Sequence, residues 1–251
     1  MLIKMYYVGA STCLFDIDEK IKIGIDPVLS PKGHKIHFKN FESIRIKSPK
    51  YTEPIFKNID IWLITHSHKD HLDSLGVKAI NKNSVVLCDK KTISSDLIHT
   101  NNIRVLGWGD TYEVEKDNYS IKITTIPAYY GNSLISRILV GKVNGYLVEI
   151  SNESQNQKLY FSGDTVYHKD IIRSLPDGID ILIANLGNVR SEDIGGPLTM
   201  NLEMLDIFIK SLHPKKVIPV HIDDFSHYET SILEVQQAGL EIITTGKWIV
   251  L

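Results

Sequence analysis

Ile61-Trp62-Leu63-Ile64-Thr65-His66-Ser67-His68-Lys69-Asp70-His71-Leu72-Asp73 is the stretch on which the reading of this chain turns. An apolar run stops abruptly, and three imidazoles and two carboxylates follow within nine residues. Imidazole nitrogens and carboxylate oxygens are the usual ligands of zinc and similar divalent metals. A strand over Ile59–Thr65 that ends in such a cluster presents all of it on one loop at a sheet edge. The spacing His-x-His-x-Asp-His therefore predicts a metal-binding loop rather than a solvated, His-rich turn.

Two later places repeat the pattern of an apolar strand followed at once by a ligand type. One is Leu159-Tyr-Phe-Ser-Gly163-Asp164-Thr165, where Gly163 lets the backbone turn and Asp164 is carried out at the strand end. The other is Val217-Ile-Pro-Val-His221. Strand ends aim side chains reproducibly, as a coordination geometry requires. Each of the two is a weak signal alone, and their relation to the first cluster raises both.

At 251 residues, 43% hydrophobic and 23% charged with a formal net charge of −2, the composition is that of an ordinary globular protein able to bury a large core. No apolar run reaches the length of a membrane span, and the first ten residues read as a strand rather than an export signal. Cys13 and Cys88 lie far apart and outside any Cys-x-x-Cys motif, so they read as buried, reduced thiols. A cytoplasmic enzyme acting on a small molecule is expected. Neither nucleic acid nor membrane is indicated as a partner, and oligomerisation stays open.

Strands are expected over Leu2–Val8, Cys13–Ile17, Ile21–Ile25, Ser84–Cys88, Ile103–Leu106, Thr111–Glu115, Tyr119–Ile126, Gly145–Ile150, Lys158–Ser162, Asp180–Ala184 and Val217–Val220, with a last one near Glu241–Thr244. Helices are expected after the His cluster, over Thr92–His99, over Asn201–Leu212 capped by Thr199 or Asn201, and after the capping box Ser231-x-x-Glu234, which Gly239 can close. Residues 30–58 lack periodicity and hold Lys32, Lys35, Lys39, Arg45, Lys47, Lys50 and Lys57 against Glu42 and Glu53, a local excess of 7 − 2 = +5. They read as a basic surface loop inserted in one α/β domain spanning residues 1–251.

These residues resemble the metallo-β-lactamase superfamily. Its His-x-His-x-Asp-His signature matches His66-Ser-His68-Lys-Asp70-His71, its strand-end Asp matches Asp164 and its late His matches His221. Asp26-Pro27, Pro127-Ala128, Leu198-Thr-Met200 and Pro219-Val-His221-Ile-Asp-Asp-Phe225 are similar to the branch that includes L-ascorbate-6-phosphate lactonase and the N-acylphosphatidylethanolamine phospholipase D relatives. The resemblance implies an αββα sandwich carrying one or two divalent ions, zinc first and manganese or iron as alternatives. It implies that His66 and His68 hold one ion, that Asp70, His71 and His221 hold a second, and that Asp164 bridges them. The family places a third His shortly after the Pro-Ala pair, and this chain has Tyr130 there. That phenol could ligate as phenolate, leave a position open for water or weaken the first site.

A divalent cation lowers the pKa of a bound water from 15.7 to about 7 and polarises the bond under attack. Asp70 is then ligand, orienter of water or proton acceptor, and Asp73 either supports a ligand imidazole or caps the next helix. Tyr130, His168 and His227 are candidate substrate contacts, His168 also as a leaving-group acid. His99 and His213 read as surface residues at helix ends; His34 and His37 are weak substitutes for the missing ligand. Asn185 and Asn188 line a pocket or make turns. The expected activity is hydrolysis of a small ester, lactone or phosphodiester, with the basic loop favouring an anionic sugar lactone. A metal or ligand sensor without turnover is the alternative.

Overall fold

Ile61–Leu63 is a fully buried strand, and the strand beside it leaves room for Trp62. Gly24 lies opposite Trp62 in the adjoining strand, and a Cβ there would come within 2.5 Å of the indole ring. Burying a ring of that size removes about 150–250 Å² from water, about 4–6 kcal/mol before the entropy of ordering it. The computed structural model describes residues 1–38, 41–94, 102–133, 136 and 142–251. It divides into two compact units: Met1–Leu106 with Asp223–His227 and Ile243–Leu251, and Gly107–Ile222 with Tyr228–Ile242.

The first unit contains β1 (Ile3–Gly9), β2 (Thr12–Ile17), β3 (Ile21–Ile25), β4 (Lys35–His37), β5 (Glu42–Ile44), β6 (Ile61–Leu63), β7 (Val85–Cys88) and β8 (Ile103–Val105). Helices α1 (Ser74–Ala79) and α2 (Lys90–Ser94) follow β6 and β7. The second unit contains β9 (Thr111–Lys116), β10 (Tyr119–Ala128), β11 (Val143–Ser151), β12 (Asn156–Phe161), α3 (Lys169–Ser174), β13 (Ile181–Asn185), the short pair β14 (Arg190–Ser191) and β15 (Gly196–Pro197), α4 (Leu202–Leu212), β16 (Lys216–Val220) and α5 (Ile232–Gln237). The chain ends in β17 (Trp248–Val250), which belongs to the first unit.

Each unit has a mixed sheet with one plan. In the first the order is β17-β1-β2-β3-β6-β7-β8, antiparallel from β17 to β3 and parallel from β3 to β8. In the second it is β16-β13-β12-β11-β10-β9, parallel from β16 to β12 and antiparallel beyond. The parallel strands matter most, because their carboxyl ends lie side by side at one sheet edge, where open α/β sheets bind ligands. Trp62, Val86, Leu14 and Leu72 are among the residues that fill the first core; Tyr160, Leu182, Leu205 and Phe208 are among those that fill the second.

Most expected elements stand within two residues of their predicted ends, and the departures have identifiable causes. Asn201 caps α4 through Met204 N–H, and Ser231 with Glu234 closes the expected capping box on α5. The final strand is not at Glu241–Thr244: that apolar run is irregular, with only Ile243 of its isoleucines buried. Gly246, at φ 81°, turns the chain there and its N–H reaches Tyr7 O, so the strand that pairs β1 comes four residues later. Residues 30–58 hold the paired strands β4 and β5, and Arg45 is fully buried rather than solvated. Lys39, His99 and the helix beyond Ser94 lie outside the described residues. Among the described residues no helix is long and apolar enough to cross a membrane.

Cys13 and Cys88 are both buried and free. Burial pushes the Cys13 thiol well up, with Asp26 nearby adding to it, and pushes Cys88 from an ordinary value of 9.0 to about 12. A thiol whose folded pKa is raised favours folding below its unfolded pKa and loses that contribution as pH rises towards the folded one. Native protein is therefore expected to resist alkylation at pH 8 and to expose both thiols in denaturant. Thiol titration with and without denaturant checks this, and alkaline destabilisation is expected between about pH 9 and 12.

Candidate functional site

The carboxyl ends of the parallel strands carry the chemistry in each unit. In the first, β6 delivers the loop from Thr65 to Asp73, and the His68 carbonyl accepts from His71 N–H (3.0 Å) and Leu72 N–H (2.8 Å) to fold it into a tight turn. The rings of His66 and His68 are 4.4 Å apart between centroids, and those of His66 and His71 are 4.1 Å apart. His66, Asp70 and His71 are buried. Asp70 and His71 bring ligand atoms within 4.8 Å of each other. Three clustered imidazoles, one pair edge-on and one tilted, form with a buried carboxylate a donor set that suits zinc, manganese or iron.

Asp26, at the end of the neighbouring β3, sets how that donor set faces. Its carboxylate accepts from Thr65 N–H (2.7 Å) and the Thr65 hydroxyl (2.7 Å), and contacts His71 Nδ1 at 2.8 Å. A carboxylate only accepts, so His71 carries its proton on Nδ1 and offers the Nε2 lone pair. The Thr65 hydroxyl spends its one proton on Asp26, so its contact with His66 Nδ1 (3.0 Å) makes His66 the donor there. His66 too then offers Nε2. Asp26 sits in the left-handed region at φ 43°, a strained conformation of the kind found at functional sites.

Asp73 is the helix cap of its two expected roles. It accepts from Gly76 N–H (2.6 Å), Leu29 N–H (2.9 Å) and Ser30 N–H (2.7 Å), and the support of a ligand imidazole falls to Asp26. Sequence reading saw Asp26 only as a point of family likeness. Its position after β3, which pairs with β6, is the signal that identifies it. His227 Nε2 lies 3.2 Å from Asp70 Oδ2 and its Nδ1 lies 2.6 Å from Ser43 Oγ. His34 and His37 are exposed, and His37 pairs with Glu42 at 3.3 Å.

In the second unit Asp164, Asn185 and His221 stand at the ends of three adjacent parallel strands, β12, β13 and β16. Gly163, at φ 58°, makes the turn expected of it. Asp164 and His221 are buried, with Nε2 of the imidazole 3.7 Å from the carboxylate Oδ1. Asn185 Nδ2 donates to that same oxygen at 3.0 Å, a role visible from sequence only once β13 is placed beside β12. His221, left-handed at φ 63°, stacks on Tyr228 with centroids 3.9 Å apart. Gly187 closes its surroundings, since a Cβ there would lie 2.7 Å from His221 Nδ1.

Tyr130 is buried just past β10, where Tyr129 is bonded to Thr165 (2.8 Å) and Val166 (2.8 Å), directly after Asp164. His168 stacks on Tyr129 at 4.1 Å and its Nδ1 accepts from Asp170 N–H, capping α3. Asn188 makes a left-handed turn at φ 47°, and His213 ends α4 at the surface.

The family model described as "Beta-lactamase superfamily domain" matches residues 22–222. The chain belongs to this superfamily. Among curated relatives, a metal-dependent hydrolase of Pyrococcus furiosus is 26% identical over 224 residues, covering 88% of this chain and 84% of that protein. The protein YddR of Bacillus subtilis is 25% identical over 230 residues, covering 88% and 86%. Two solved structures share the metallo-β-lactamase fold. A possible metal-dependent hydrolase from Veillonella parvula has a TM-score of 0.81 at 19% identity, covering 100% of both chains. An isothiocyanate hydrolase from Delia radicum gut bacteria has a TM-score of 0.80 at 21% identity, covering 99% of this chain and 98% of that one.

Two substitutions test this geometry. Asp26→Ala removes the acceptor that orients His71, and metal affinity measured against a competing chelator is expected to fall about 10–100-fold. Gly187→Ala should displace the His221 imidazole and lower metal affinity while the circular dichroism spectrum stays native.

Proposed function

We propose that this metal-dependent hydrolase of the metallo-β-lactamase fold cleaves a small ester, lactone or phosphodiester at a centre built from His66, His68, Asp70, His71, Asp164 and His221. The observation that carries the proposal is that each unit ends its parallel strands in a buried, pre-oriented pair of ligand types, in the order of the family signature. Zinc is favoured, with manganese and iron suited by the same donors. When bound, the ion supplies Lewis-acid activation of water and of the carbonyl or phosphoryl group under attack.

The chain's own residues do the rest. Asp26 and Thr65 fix the tautomers of His71 and His66, and Asn185 holds Oδ1 of Asp164. His227 steadies Oδ2 of Asp70, which orients the attacking water and receives its proton. Tyr130 occupies the position of the family's third His and is assigned to the substrate. His168 spends Nδ1 on its helix cap, which leaves Nε2 for a substrate or leaving group. The Asp26-Pro27 likeness to the ascorbate-6-phosphate lactonase branch supports the lactone among these substrates. The case for an anionic one is weaker than the basic loop suggested. Arg45 is buried, Lys35 pairs with Glu42 at 2.8 Å and Lys47 with Asp223 at 3.4 Å.

Metal-loaded protein assayed against panels of esters, lactones and phosphodiesters is expected to show turnover that a chelator abolishes and added metal restores. Asp164→Ala and His221→Ala should each lower kcat/KM by more than about a hundredfold. Chelator-insensitive turnover, or none on any panel, contradicts the proposal. Stoichiometric metal without turnover is the result a sensor gives.

A further inference from the structure

Residues 33–38 and 41–45 are built onto the segment that carries His227. The hairpin of β4 and β5 closes through Phe38 N–H to Phe41 O (2.9 Å), Arg45 N–H to His34 O (2.9 Å) and Gly33 N–H to Arg45 O (2.8 Å). Its second strand is fastened to residues 225–226 by Ser226 N–H to Ile44 O (2.9 Å), Ile44 N–H to Ser226 Oγ (3.0 Å) and a bridge between Arg45 and Phe225. The Arg45 guanidinium anchors the base, donating to Val28 O and Lys47 O and lying 5.3 Å from the centroid of Phe225.

Two aromatic rings, those of Phe38 and Phe41, face His68 and His227. Phe38 stacks on Phe41 at 4.5 Å, meets the edge of His68 at 5.6 Å and approaches His227 at 5.2 Å. Phe41 lies 5.7 Å from His227 and keeps 39% of its surface in water. A stacked pair left partly wet, beside the imidazoles of His68 and His227, is apolar surface next to the ligand cluster.

We infer that Phe38 and Phe41 form a specificity wall that receives an apolar alkyl or aryl group of the substrate, next to the bond held at the His66–His71 cluster. This rests on the metal centre proposed above and replaces its substrate tilt: the hairpin selects a hydrophobic substituent rather than an anionic one.

The test is the affinity of metal-loaded protein for straight-chain carboxylates from acetate to octanoate, measured by calorimetry, with metal content determined in parallel. Affinity is expected to rise about three- to four-fold per methylene over the carbons that reach the wall. In Phe38→Ser/Phe41→Ser the series should become flat, with acetate affinity and metal content unchanged. Phe41→Ser alone, at the exposed position, should weaken the rise, and it decides the matter if the double variant does not fold. A flat series in the unaltered protein, or an undiminished rise in the variants, overturns the inference. A chain-length rise lost in the variants, without turnover of any ester, lactone or phosphodiester, leaves the wall standing and removes the hydrolase reading instead.

Discussion

A single buried carboxylate, that of Asp26, organises the imidazole cluster. Keeping it charged away from water costs several kcal/mol, and its left-handed backbone adds about 1–2 kcal/mol. Three partners offset this: Thr65 N–H, the Thr65 hydroxyl and His71 Nδ1–H. Hydrogen bonds to a charged group contribute about 1.5–3 kcal/mol each, so together they exceed the backbone cost and offset much of the desolvation. A cation beside the imidazoles would favour the carboxylate further. The arrangement is one whose native state gains from metal.

The same economy of design recurs in the second unit, where Asn185 stands to Asp164 somewhat as Thr65 stands to Asp26. In both units a ligand type leaves the carboxyl end of a parallel strand and a neighbouring strand supplies the group that steadies it. Strand ends inherit the rigidity of the sheet, so a donor can be aimed without a dedicated scaffold. Left-handed backbone at Asp26 and His221 marks where that aiming is most demanding. Gly187 and Gly163 supply close approach and a tight turn that a larger residue would deny.

Sequence reading recovered what depends on local pattern. The apolar run before His66, the Gly163-Asp164 turn and the Ser231–Glu234 capping box carry their signals within a few residues, and each element stands where expected. What it missed depends on which strands become neighbours. Asp26 and Asn185 matter because β3 lies beside β6 and β13 beside β12, pairings that no short window encodes. Arg45 read as one more surface cation because its charge is local while its burial under Phe225 is not. The apolar run Glu241–Thr244 misled for the converse reason: strand propensity is satisfied only where a partner is in register, and β1 takes Trp248–Val250. The family likeness, in contrast, was legible because metal ligation constrains residue type and spacing together.

The proposed function assigns residues 66–71, Asp164 and His221 to one metal centre. Anomalous diffraction at the absorption edge of the metal, from crystals of metal-loaded protein, tests it most directly. An ion with His71, Asp164 and His221 atoms at about 2.0–2.2 Å is the expected result. An ion held by the His66–His71 loop alone, with Asp164 and His221 outside coordination distance, would contradict it.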